Sequence, residues 1–213
     1  MDGCMECQDL GRKRQKLARM ARRLNARAPR GPITGLVLMT DDRIDTDWCR
    51  AAFMLPAGSA VIVRHRDGRR REDLARALIA CCRPRGVRVL VSDDAKLAMR
   101  VRADGVHLPE RRMMQVAGVR GMNSRWILSS SVHGPAGIRR ARGQVFDILF
   151  LSPFMETQSH PGAGALGAVR FAALSFAAGP RVYALGGIDA DTVPRLACMN
   201  VGGVGVIRAW IAP

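Results

Sequence analysis

The chain has 213 residues, 48% of them hydrophobic, which is enough for one domain with a sizeable core. No apolar run approaches the ~20 residues that span a bilayer, and the N-terminus lacks the apolar stretch of a secretory signal; this excludes a membrane span and predicts a cytoplasmic location. A formal charge of +16 and a pI near 11.3 invite a nucleic-acid reading, but the excess is nearly all arginine, the only lysines are Lys13, Lys16 and Lys96, and 5% aromatic residues leave little to stack on bases, so specific nucleic-acid binding is not expected.

Cys4 and Cys7 form a CxxC with no further ligand pair nearby, and the six cysteines are scattered, so reduced thiols are expected rather than disulfides or a zinc site. Gln8 to Ala28 reads as an amphipathic helix, with Leu10, Leu17, Met20, Ala21 and Leu24 near one face and arginines on the other. Residues 1–30 therefore form a basic helical extension, and residues 31–213 the main domain.

After Pro32 short apolar runs alternate with helical stretches. The predicted strands are Gly35 to Met39, Ala60 to Arg64, Val87 to Val91, Gly105 to Leu108, Trp126 to Ser129, Ile148 to Leu151, Val182 to Leu185 and Val204 to Ile207. The predicted helices between them include Arg71 to Cys82, Ala95 to Arg102, Pro135 to Arg142, Val169 to Ala177 and Asp189 to Cys198. Eight βα alternations in this length predict an α/β fold of the (β/α)8 TIM barrel type, with a doubly wound sheet as the alternative. Six residues after Ile207 are too few for a full closing helix, so the C-terminal end is shortened and the N-terminal helix is placed on that flank.

A barrel of this kind carries its chemistry where the strands end. All four histidines fall at or soon after a strand: His65, His107, His133 and His160, with His107 the structural member of the set. The sixth strand runs into Ser152, Thr157, Ser159 and His160 beside Pro161, Gly162 and Gly164, a loop rich in donors and able to approach a ligand closely. Gly186 and Gly187 follow strand seven, and Ile207 and Arg208 end strand eight; turns at these two places form a phosphate site, or else simply allow tight βα connections. Gly162-x-Gly164-x-x-Gly167 is not a dinucleotide fingerprint, because Pro161 separates it from any strand. Asp93 and Asp94 follow strand three, where either could ligate Mg²⁺ or cap a helix. Glu110 sits beside Arg111 and Arg112, a poor setting for a divalent metal.

The stretches LVLMTDDR, VLVSDDAKLAMRVRADGVHL, SSSVH, DILFLSPFMETQSHPG, ALGGI and GVGVIRAWI, in this order from Leu36 to Ile211, resemble the thiamine phosphate synthase and TenI-like thiazole tautomerase family. The resemblance implies a thiamine-biosynthesis enzyme that binds a phosphorylated thiazole. Its phosphate-binding threonine, second hydroxyl residue and lysine fall on Thr157, Ser159 and His160, and its phosphate amides on Gly186, Gly187, Ile207 and Arg208. The pyrimidine diphosphate pocket, built in synthases from a glutamine, an arginine, a glutamate and a lysine, falls on Ile62, Arg64, His65 and Arg66. Its asparagine and aspartate after strand three become Ser92 and Asp93, and the second metal-binding aspartate becomes Arg112. His133 matches the histidine of the tautomerase, where a neutral imidazole would shuttle a proton and Ser131 would help orient the ring. These departures favour tautomerase-like chemistry, which needs no cofactor. The alternatives are a synthase that joins hydroxymethylpyrimidine diphosphate to thiazole phosphate with Mg²⁺ on Asp93, releasing diphosphate, and a silent barrel that only binds the intermediate. A homo-oligomer is compatible with the sequence.

Overall fold

The eight apolar runs become eight parallel strands in a computed structural model that describes residues 2–156, 164–179 and 181–211. They are Leu36–Met39 (β1), Ala60–Val63 (β2), Arg88–Ser92 (β3), Gly105–Leu108 (β4), Ile127–Val132 (β5), Ile148–Leu151 (β6), Val182–Ala184 (β7) and Gly203–Val206 (β8). The strands pair in chain order, and β8 closes on β1 through Leu36 beside Val204 and Leu38 beside Val206. The doubly wound alternative is thereby excluded, and the fold is the (β/α)8 barrel.

Near-continuous apolar strands are required because both faces are buried. Alternate residues point inward, and Val37, Met39, Ile62, Leu90, Ile148, Phe150 and Tyr183 fill the barrel. Their neighbours, such as Leu36, Leu38, Val61, Val89, Val106 and Leu128, face the outer helices. The inner layers are tight: a Cβ on Gly105 would lie 2.0 Å from the Ile127 carbonyl oxygen. Edge-on contacts run from His107 to Phe150 and from Phe150 to Tyr183, with ring centroids 5.6 and 5.8 Å apart.

The outer layer comprises Asp2–Asn25 (α1), Trp48–Phe53 (α2), Gly68–Cys82 (α3), Ala95–Arg100 (α4), Val116–Met122 (α5), Pro135–Ala141 (α6), Gly167–Ala178 (α7) and Arg208–Ile211 (α8). Asp47, Asp67 and Asp94 cap α2, α3 and α4, each carboxylate accepting a backbone N–H one turn on. The helix predicted over Asp189 to Cys198 is reduced to a 3-10 turn, Val193–Leu196. Pro194 has no N–H to bond back to Ala190, and Thr192 is already drawn onto Asp189.

A one-turn α8 leaves the flank of β8 and β1 open, and α1 covers it. Leu17, Ala21 and Leu24 are at most 1% exposed. Arg14 Nε donates to the Trp210 carbonyl at 2.7 Å while its guanidinium lies over the indole. Gly35, at φ +91°, lets the chain pass under α1 where a Cβ would meet the Ala21 oxygen at 2.5 Å. The described cysteines Cys49, Cys81, Cys82 and Cys198 are free thiols, and the side chains of Cys4 and Cys7 lie outside the described set.

Candidate active site

Carboxyl ends of β1 to β4 surround a cavity of about 660 Å³ whose wall includes Arg43, Arg64, Arg66, Arg71 and Arg111, with Asp41, Asp42 and Asp93 opposing them. The acids are already engaged. Arg43 donates to Asp41 Oδ1 at 2.8 Å and to Oδ2 at 2.5 Å, which holds the Asp41 carboxyl down at about 2. Asp42 accepts the Arg66 backbone N–H at 2.9 Å. Asp94 caps α4 through the Leu97 N–H, which settles the choice of helix cap in its favour.

Arg64 is the exception. Its backbone is locked to Thr40, whose hydroxyl accepts the Arg64 N–H at 2.8 Å. Its half-buried guanidinium makes no hydrogen bond or ion pair to any described residue. Burial pushes that group down from the ordinary arginine value, with Asp41 partly opposing the shift. A desolvated cation without a partner facing a cavity is a place for a ligand anion.

Asp93, the metal ligand of the synthase alternative, stands at φ +62° with its N–H bonded to the His107 carbonyl. Arg111 donates to its Oδ2 at 2.5 Å, and Arg112 lies 3.1 Å from its Oδ1. Ser92, at the end of β3, lines the same cavity, and its carbonyl receives a long 3.4 Å bond from Arg71. Glu110 turns away: it accepts the His133 N–H at 2.9 Å, pairs with Arg140 and packs over Gly137.

His107 closes the cavity floor. Its Nδ1 is 3.0 Å from Ser129 Oγ and its Nε2 3.1 Å from Ser131 Oγ. Burial, followed by the proximity of Arg64 and His133, pushes the imidazole down to about 3, so it is neutral. One nitrogen then donates and the other accepts, and hydroxyls suit both roles. Ser131 thus reaches the site held by the histidine assigned a structural role from the sequence.

His133 stands one residue past β5 on the other half of the mouth. Its Nδ1 is 3.0 Å from Ser152 Oγ and 3.2 Å from the Ser152 carbonyl oxygen. A carbonyl only accepts, which assigns a proton to Nδ1. Gly186 and Gly187 follow β7 with φ of +89° and +66°. Cβ atoms there would meet Pro153 Cα at 2.9 Å and Met155 Cβ at 2.6 Å, so both glycines let the segment after β6 lie against this turn. Phe154 and Met155 bond to the Leu185 and Gly186 carbonyls. Ile207, expected to end the eighth strand, lies one residue past β8 and is half-buried, and Arg208 is exposed at the start of α8. Thr157, Ser159 and His160 lie outside the described residues.

A model of the family described as thiamine monophosphate synthase matches residues 36–210. The chain belongs to this family. A Thermus thermophilus thiamine-phosphate synthase is 33% identical over 171 residues, 75% of this chain and 79% of that protein. One from Geobacillus thermodenitrificans is 31% identical over 163 residues, 71% of this chain and 67% of that one. Among solved structures, a thiamine phosphate pyrophosphorylase from Pyrococcus furiosus shares the fold with a TM-score of 0.70 at 23% identity, covering 82% of this chain and 86% of that one. Membership places the chain in a family of thiamine biosynthesis, and its Thermus and Geobacillus relatives are synthases, which are transferases.

The residues present do not fit the Mg²⁺ of the synthase alternative. Magnesium takes oxygen ligands that are free to face it. Here Asp93 is shared by two guanidinium groups, the position expected to supply a second aspartate is Arg112, and Glu110 is held elsewhere. Among the described residues no three His, Cys, Asp or Glu side chains gather into a metal-binding group. A divalent cation on Asp93 would meet two like charges a few ångström away, a repulsion of several kcal/mol at an effective dielectric near ~20.

Sequence reasoning missed Asp41, Arg43, Arg71 and Arg111 as cavity residues. The TDDR ending of β1 was the available signal for Asp41 and Arg43. Arg71 read only as the start of a helix and Arg111 only as a charge beside Glu110.

Proposed function

We propose that the protein is a thiamine phosphate synthase-type transferase, with the diphosphate of a pyrimidine substrate in the β1 to β4 cavity and a thiazole phosphate across the β5 to β8 half. The uncompensated Arg64 guanidinium in an arginine-walled cavity carries this reading; a one-substrate tautomerase has no use for a second anion pocket. In the reaction the bond between the pyrimidine methylene and the diphosphate oxygen breaks, the diphosphate leaves with the electron pair, and the thiazole nitrogen bonds to the methylene carbon. Arg64, with Arg66 and Arg111, would take the charge that develops on the leaving group. Thr157, Ser159, His160, Gly186, Gly187, Ile207 and Arg208 would hold the thiazole phosphate, with Ser92 and Ser131 lining the reacting groups. The assay is formation of thiamine phosphate from the two substrates. Arg64→Ala should lower kcat/KM for the pyrimidine diphosphate by about 30-fold or more. An unchanged value, or no product from the parent protein, would remove the proposal.

A second reading rests on His133. With Nδ1 held by Ser152, its Nε2 is set to take and return a proton, as a thiazole tautomerase requires. Conversion of the thiazole carboxylate tautomer that survives His133→Asn would dismiss it.

A further inference from the structure

On the β3 to β4 side of the mouth Asp93 is the acid placed to meet a cation, and both its oxygens lie beside arginines: Oδ2 accepts from Arg111, while Oδ1 is 3.1 Å from Arg112 without a hydrogen bond. Arg111 and Arg112 come from the short turn after β4 and converge on Asp93, which follows β3. The Asp93 backbone reinforces the arrangement, because its carbonyl also receives Arg112 at 3.4 Å. Glu110, one residue before them, is drawn to the opposite side by the His133 N–H and Arg140. Arg111 keeps 70% of its side chain exposed and Arg112 47%, so both retain N–H groups free to bind beyond the carboxylate. With Arg64 unpaired across the cavity, the pocket presents guanidinium groups on two walls.

We infer that this chain binds its diphosphate-bearing ligand without a divalent metal, Arg111 and Arg112 standing on Asp93 as fixed cations where a metal would otherwise bridge protein and diphosphate. Asp93 positions the two guanidinium groups instead of ligating an ion. The inference rests on the diphosphate assignment of the cavity, and it adds that the counter-charge comes from the protein. A planar fork offers paired N–H donors that match phosphoryl oxygens, so arginine can replace a metal's charge together with its orientation of the group.

The test is calorimetric titration of the full chain with inorganic pyrophosphate in EDTA, and with the preformed magnesium pyrophosphate complex. Metal-free pyrophosphate should bind, with an affinity within about threefold of the magnesium complex, and the Arg111→Ala/Arg112→Ala double variant should lose about tenfold or more in EDTA. Arg112→Asp, which puts a second carboxylate beside Asp93, should make binding magnesium-dependent. Binding by the parent only as the magnesium complex would overturn the inference and leave the diphosphate assignment standing. Failure to bind either form would overturn both. Unchanged affinity in the double variant, with its near-ultraviolet circular dichroism matching the parent, would also overturn the inference.

Discussion

Because His107 is neutral inside the barrel and protonated in the unfolded chain below neutrality, it ties stability to pH. Its ordinary value of 6.5 falls to about 3 on folding. A base with a depressed folded value contributes stability that is complete above its unfolded pKa and is lost as pH falls toward the folded one. Between pH 7 and pH 5 the unfolded histidine takes up a proton that the folded one refuses, at about 2 kcal/mol, or about 4 to 8 °C in Tm for a chain of this size. His107→Asn keeps a donor and an acceptor for Ser129 and Ser131 but cannot titrate. It destabilises at every pH, so the readout is the difference of slopes. In urea unfolding from pH 7 to pH 5 the parent should lose about 2 kcal/mol more than the variant. Parallel stability curves would refute the account of His107 as a buried neutral ring, since the other three histidines are common to both proteins.

Two further outcomes follow from packing. Leu24→Ala opens a cavity under α1 where the side chain is 1% exposed, so unfolding should be easier by about 2 to 5 kcal/mol; a loss below about 1 kcal/mol in urea titration would mean α1 is not part of the fold's core. Gly187→Ala strains a φ of +66° and drives a Cβ to 2.7 Å from the Glu156 carbonyl oxygen. It should lower Tm and weaken inorganic phosphate binding together, both measured on the purified protein, and an unchanged phosphate affinity would detach this turn from the phosphate site.

The barrel was legible because fully buried strands write themselves as short apolar runs. Gly105–Leu108 and Ile148–Leu151 coincide with their predicted bounds. β5 extends beyond its predicted end to Val132, because Ser130 and Ser131 look like loop residues until Ser129 and Ser131 are seen bonding His107 inside the barrel. α2 and α5 were unread, the first only six residues long and the second carrying Gly118 and Gly121, which weaken any helical signal. The anion cavity could not be read locally. Arg43, Arg64 and Arg111 follow three different strands and Arg71 comes from the first turn of α3, and each alone resembles the arginine excess spread over the chain.

What distinguishes these arginines from that excess is pairing rather than number. Arg43 is committed to Asp41, Arg111 and Arg112 to Asp93, and Arg140 to Glu110. Arg71 is paired with Asp94 through one nitrogen while its buried Nε has no hydrogen-bond partner. Arg64 is the half-buried cavity arginine whose whole guanidinium has none among the described residues, so the local field at the mouth is set by these positions more than by a charge of +16. Exposed charges are screened over about 10 Å at ordinary salt, whereas a desolvated one is not. Charge reversal separates the two cases. Arg64→Glu should abolish pyrophosphate binding, while the same change at Arg69 or Arg70, both exposed on the first turn of α3, should shift it by less than about threefold at 0.1 M salt. If Arg69→Glu weakened binding as much as Arg64→Glu, the pocket would be recognising its anion through the diffuse field of the whole surface, and the assignment of Arg64 as the anchoring cation would fall with it.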